Sequence, residues 1–193
     1  MLNNLEKYDV VLASKSPRRQ DLLKGLGIDF TVMTADVEET YPESLGVEDV
    51  PAFLSKKKAH AFEGKKLPEN FLLIAADTVV ICDDFILGKP KDEKDAERML
   101  KMLSGRTHKV ITGVTVLTAA KTRTFSVTSE VTFDNLEDEE IKYYIDAFHP
   151  YDKAGAYGVQ EWIGYVGVAE VRGSYYNVMG LPTQRLYQVL KHF

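Results

Sequence analysis

The sequence predicts an α/β domain built on a mixed β-sheet. Three observations carry that reading: a short apolar run, Val10-Val11-Leu12-Ala13, that feeds at once into a capped helix; a second apolar run, Leu72 to Val80, set between helical stretches; and a change after Thr107 to alternating β-branched residues. A chain of 193 residues can form one large domain or two small lobes sharing a core. With no repeat, low-complexity tract or Pro/Gly/Ser linker to mark a boundary, residues 1–193 are read as a single domain.

Val10 to Ala13 has the continuous apolar texture of a strand buried on both faces. Ser14-Lys15-Ser16-Pro17 follows, with Ser16 a natural N-cap and Pro17 suited to the first helical position; Leu22, Leu23 and Leu26 recur at helical spacing until Gly27. Ile28 to Thr34 reads as a second strand, Ala35 to Glu39 as an acidic loop and Val50 to Phe62 as a helix carrying Lys56, Lys57 and Lys58. Leu72 to Val80 is expected as a strand interrupted at Asp77-Thr78, returning through the turn Asp83-Asp84 and Phe85-Ile86-Leu87 to Gly88-Lys89-Pro90. Asp92 to Leu103 reads as a helix stopped by Gly105. Thr107 to Phe133 has the alternation of antiparallel strands, Glu137 to Phe148 is a helix, Asp152 to Gly158 a glycine-rich loop, Gly164 to Ala169 a further strand and Pro182 to Lys191 a closing helix.

Composition narrows the function. Lysine and arginine number 24 against 29 acids, a net charge of −5, which disfavours a duplex nucleic-acid binder because such proteins present a basic face. The longest apolar run, Phe71 to Ala76, ends at Asp77, far short of the roughly 20 residues of a membrane span. The lone Cys82 offers neither an intrachain disulfide nor a zinc pattern, and the amino-terminal residues lack signal-peptide character. These features point to the cytoplasm, with neither nucleic acid nor membrane as partner. Aromatic residues at 10% permit a homodimer without requiring one.

Ser14-Lys15-Ser16-Pro17-Arg18-Arg19 offers helix amides, hydroxyls and two guanidinium groups where a strand meets a helix, the means by which a polyphosphate is held. A capped helix with solvated arginines accounts for the same residues. Asp77 ends a buried run and needs a partner there; metal ligation or proton abstraction from water explains it, and so does a salt bridge or a capped turn. Glu38 and Glu39 bring further carboxylates, whose oxygens suit Mg²⁺ or Mn²⁺, or else form a solvated loop. Lys89 lies between Gly88 and Pro90, which fix its backbone; Lys56 and Lys57 read as solvated, and Lys58 is a candidate cation on the same helix. Gln160 follows the glycine-rich loop with an amide that both donates and accepts, a match for the edge of uracil or thymine, or simply a solvated side chain. The four histidines show no metal-ligand spacing, and Trp162 and the tyrosine pairs read as packing.

Taken together, the ordered segments Ser14 to Arg19, Glu38-Glu39, Lys58-Ala59, Ala76 to Val80, Gly88-Lys89-Pro90, Leu103-Ser104-Gly105, Thr112-Gly113-Val114, Asp152 to Gly158 and Gly180-Leu181-Pro182 resemble the Maf family of nucleoside triphosphate pyrophosphatases over nearly the whole chain. The resemblance implies a twisted mixed sheet flanked by helices with a deep substrate cleft, a fold shared with inosine-triphosphate pyrophosphatases. It also implies divalent-metal hydrolysis of a nucleoside triphosphate to monophosphate and pyrophosphate. Ala156-Tyr157-Gly158-Val159-Gln160 is similar to the branch acting on dTTP and UTP. The family's proton acceptor falls on Asp77, its specificity positions on Arg18, Thr78 and Gln160, and its phosphate and metal residues on Ser14, Arg19, Glu39, Lys58 and Lys89, with Asp77 also a metal ligand. Glu161-Trp162 departs from the small residues often found there. Two alternatives stand beside this expectation: a pyrophosphatase of non-canonical purine triphosphates, and a nucleotide-binding regulator of septum formation.

Overall fold

The computed structural model describes residues 2–193. Strand β1 (Asp9–Leu12) buries its last three residues, and the chain turns directly into helix α1 (Pro17–Lys24), where the Ser16 hydroxyl accepts from the Arg19 N–H and Leu22 and Leu23 are buried. The second expected strand contracts to β2 (Thr31–Val32), both residues exposed. It lies at the edge of the sheet, with little apolar burial to hold a longer segment in register. Helix α2 (Val50–His60) follows as expected.

Strand β3 (Phe71–Cys82) corrects the expected interruption, because it runs unbroken through Asp77 and Thr78. The carboxylate is tolerated at that depth because an ammonium meets it there. Asp83 and Asp84 take left-handed φ values of 48° and 63° to reverse the chain into β4 (Phe85–Leu87). Helix α3 (Glu93–Leu103) is capped by the Asp92 side chain. Strands β5 (Thr107–Leu117) and β6 (Thr122–Phe133) are joined by residues 118–121 and precede helix α4 (Asp138–Phe148).

The strand expected at Gly164 to Ala169 is a correction. Helix α5 (Trp162–Gly167) occupies most of it, and β7 (Val168–Arg172) begins only afterwards. Ile163 and Gly167, four residues apart, are the positions α5 buries, a helical rather than an alternating spacing. Helix α6 (Tyr175–Met179) was not anticipated, and α7 (Thr183–Leu190) closes the chain.

The seven strands form one mixed sheet in the order β2-β1-β3-β5-β6-β7, with β4 on β3. Strand β1 is parallel to β2 and to β3, whereas β4 runs antiparallel to β3 and β7 antiparallel to β6. The packing divides the chain into two compact units. The first comprises residues up to Asp77 with Thr112–Val127 and Gly180–Phe193; the second comprises Thr78–Ile111 and Thr128–Met179.

In the first unit, Val11, Ala59, Phe62, Leu73 and Ala75 form a core between α2 and the sheet. Gly113 of β5 is required there, since a Cβ would stand 2.2 Å from the Pro51 carbonyl carbon and oxygen. The Ser55 hydroxyl then bonds Thr115 Oγ1 at 2.9 Å, so α2 is seated on the strand with its charged end fixed. In the second unit, Leu100, Leu103, Phe133, Ile141 and Tyr144 belong to a larger core in which α3 and α4 pack together. His108 lies inside it, edge-on to Phe133 and Tyr157.

Candidate active site

The first unit gathers a charged cluster. Lys58, two residues before the end of α2, donates from Nζ to Asp77 Oδ1 at 2.5 Å and to Glu39 Oε1 at 2.7 Å. Asp77 is 6% exposed, and the Lys58 bond and charge act on its carboxyl together with the Arg19 charge. Burial pushes its carboxyl above the usual carboxylate range; the Lys58 and Arg19 charges pull it back, and Glu39 adds to the rise. Desolvation prevails over the ion pair, leaving a carboxylate that holds a proton more readily than a solvated one and is correspondingly better as a base.

Arg19 closes the cluster from α1. Its Nε donates to the Gly180 carbonyl at 2.8 Å and its Nη1 to the Ala76 carbonyl at 2.9 Å, adjacent in sequence to Asp77. Burial lowers the basicity of its guanidinium, and Asp77 opposes that change more than any other group; an arginine nonetheless remains charged. Ser14 is buried and accepts from the Ser16 N–H at 3.2 Å, tightening the loop before α1, while Arg18 is half-buried on the helix's first turn. Lys57 is not simply solvated, as expected: its Nζ binds the Thr40 carbonyl and hydroxyl at 3.0 and 2.8 Å and ties the acidic loop to α2.

Thr78, Lys89 and Gln160 belong to the second unit. Thr78 follows Asp77 on β3 and is half-buried; Lys89 is exposed beyond β4. The carbonyl of Gly88 accepts from the Gly155 N–H at 3.0 Å, so the Lys89 loop is stapled to the glycine-rich one. Gly155 has φ +69°, and a Cβ on it would stand 3.0 Å from Val80, a place open only to glycine. Gln160 Oε1 is buried with no hydrogen-bond partner among the described residues, so a donor from a ligand would satisfy it.

Sequence reading missed the network behind Gln160. Lys153 is 7% exposed, with Nζ 2.8 Å from Asp152 Oδ1 and 3.0 Å from Glu161 Oε1. The second Glu161 oxygen accepts from the Tyr144 hydroxyl. Burial, then the bond and charge of Glu161, push the Tyr144 phenol far up, so it stays a neutral donor. A lysine embedded in Asp-Lys-Ala-Gly-Ala-Tyr was the available signal, because a buried lysine is rarely unpaired.

The residues of the first cluster that could hold a metal are Glu39 and Asp77. Glu39 and Asp77 already converge on one cation, the Lys58 ammonium, and among the described residues no set of three or more His, Cys, Asp or Glu side chains is placed to hold an ion. A Mg²⁺ or Mn²⁺ ion on these two carboxylates would complete its shell with water and substrate phosphates.

The family model for Maf-like proteins matches residues 9–193. The chain belongs to the Maf family. Its similar relatives include a protein of Phocaeicola vulgatus named dTTP/UTP pyrophosphatase, 54% identical over 99% of both chains. Proteins of the same name from Porphyromonas gingivalis and Flavobacterium johnsoniae are 54% and 49% identical, covering 100% and 96% of this chain and 98% and 95% of theirs. Among solved structures, a HAM1 protein from Coxiella burnetii is similar with a TM-score of 0.50 and 14% identity, over 96% of this Maf protein and all of that chain. At that identity the likeness speaks for the fold alone.

Proposed function

We propose that the protein hydrolyses dTTP and UTP to the nucleoside monophosphate and pyrophosphate, with residues 1–193 acting as one pyrophosphatase domain in the cytoplasm. The observation that carries the reading is the Asp77 carboxylate, buried, raised in proton affinity and oriented by Lys58, in a chain of which relatives about half identical bear that activity in their names. Among the described residues no helix is long and apolar enough to cross a membrane, and Cys82 is a free buried thiol.

Asp77 accepts a proton from, or orients, the water that attacks the α-phosphorus. Lys58 holds the acceptor in place and, with Arg18, Arg19 and Lys89, offsets the phosphate charge; Ser14 and the first turn of α1 position the chain of phosphates. Glu39 and Asp77 would hold a Mg²⁺ or Mn²⁺ ion, which when bound supplies charge neutralisation on the phosphates. Thr78 and Gln160 read the base. The Gln160 amide oxygen accepts the ring N–H of uracil or thymine, the donor that its buried, unpartnered state calls for.

The test is pyrophosphate release with Mg²⁺ and with Mn²⁺ from dTTP, UTP, CTP, GTP, ATP, ITP and 7-methyl-GTP, with Asp77→Asn alongside. Release from dTTP and UTP, lost in the variant, is expected. Release from a purine instead would keep the catalytic cluster and discard the base assignment; nucleotide binding without release from any would favour a regulator.

A further inference from the structure

The turn bearing Gln160 is enclosed in a ring of hydrogen bonds. The Gly158 N–H donates to the Tyr144 hydroxyl oxygen at 2.9 Å, the Tyr144 O–H donates to Glu161 Oε2, and the Glu161 N–H returns to the Gly158 carbonyl at 2.9 Å. Lys153 ties the other Glu161 oxygen from within the core. Gln160 lies inside this ring, yet the ring does not use its amide. The point where a Gly158 Cβ would stand is 3.0 Å from Gln160 Nε2 and 3.0 Å from Glu161 Oε2, so the amide's NH₂ end and the carboxylate face the same glycine.

That juxtaposition has a consequence for recognition. A glutamine amide matches uracil or thymine with its oxygen toward the ring N–H. Rotated by half a turn about its last bond, it matches cytosine equally well, because cytosine exchanges that donor for an acceptor and the neighbouring oxygen for an amino group. A freely rotating Gln160 would therefore not discriminate. A fixed carboxylate beside one end of the amide draws the NH₂ toward it and leaves the oxygen to face the ligand.

We propose that Glu161, clamped by Tyr144 and Lys153, is a positioning residue that fixes the orientation of the Gln160 amide and thereby excludes cytosine nucleotides. This rests on the reading of Gln160 as the base reader, and it gives the buried Glu161 network a function.

The experiment compares kcat/KM for UTP and CTP in wild type, Glu161→Gln, Tyr144→Phe, Gln160→Ala and the Gln160→Ala/Glu161→Gln double variant. Glu161→Gln is expected to lower the UTP-to-CTP ratio about tenfold, the effect of one misdirected hydrogen bond. The change should lie in KM for UTP and in newly gained CTP turnover, with kcat on UTP within a few-fold. In the Gln160→Ala background the same substitution should leave the ratio unchanged. A folded Glu161→Gln protein with the wild-type ratio, or one that loses both nucleotides equally with the same further loss in the Gln160→Ala background, overturns the proposal. If the substitution leaves Lys153 too poorly compensated for the protein to fold, Tyr144→Phe gives the same readout by removing a single oxygen. If wild type releases pyrophosphate from no nucleotide, the proposed function fails on its own, and the clamp is read from calorimetric UTP and CTP affinities of the same variants. Wild-type binding without preference for UTP then overturns it.

Discussion

Each unit sets a lysine between two carboxylates, and in the second a tyrosine hydroxyl joins them. In the first, Lys58 lies between Asp77 and Glu39; the Asp77 carboxylate accepts from Lys58, and burial raises its proton affinity. In the second, Lys153 lies between Glu161 and Asp152, and Glu161 is engaged at both oxygens because Tyr144 supplies a hydroxyl. The same residue types thus make a proton acceptor in one place and a structural strut in the other. What marks the second is the Tyr144 hydroxyl.

The sharpest way to break the contrast is Asp77→Asn. Loss of the acceptor should lower pyrophosphate release by about 10²–10⁴-fold. The melting temperature at pH 7 should not fall, because the substitution removes a carboxylate whose ionised form burial disfavours, and Lys58 keeps Glu39. A matching loss of stability would make Asp77 a strut like Glu161.

Lys58→Met comes next. It strips the ammonium from Asp77, so the proton affinity of the carboxyl rises further, and turnover requires the ionised form. The acid limb of the pH–rate profile, already above the ordinary aspartate value of 3.8, should move to higher pH, with turnover at pH 7 lowered by about tenfold or more. A limb that stays in place would detach Lys58 from the role of orienting Asp77.

Lys153→Met should show the opposite balance, a loss of about 3 kcal/mol in unfolding free energy because one partner of a buried pair is removed, with kcat on UTP little changed. Denaturant unfolding measured beside turnover decides it.

The smallest effect is conditional on pH. His108, 2% exposed, has its imidazole pushed down to about 4 from 6.5 by burial. The unfolded chain therefore binds the proton first, and stability should be lost as pH falls from about 6.5 to 4, by about 3 kcal/mol at most. Asp77 has the opposite sign: its raised value means that the folded state binds the proton more tightly, so its contribution is lost as pH rises above 3.8 through the folded value. Unfolding curves of His108→Gln should lose the acid slope, and those of Asp77→Asn should keep it.

Much of this was legible in the chain because it depends on neighbours in sequence. The Ser16 cap and Pro17 start a helix wherever they stand before leucines at helical spacing, and Asp92 does the same for α3. The alternation in β6 reports a half-buried strand surface directly, whereas β5 is buried at most of its positions. Asp77 could be singled out because an acid at the end of a buried apolar run needs a reason to be there. Other features depended on partners distant in sequence. Strand β3 continues through Asp77 because Lys58 arrives from 19 residues earlier; helix α5 takes up most of Gly164 to Ala169, with Gly167 packed against Leu136 from before α4. Periodicity and composition determined the class of fold, the helices and the list of charged candidates. Only the tertiary structure decided which lysine meets which carboxylate, because the cost of burying a charge and the bonds that offset it are set by groups brought together from across the chain.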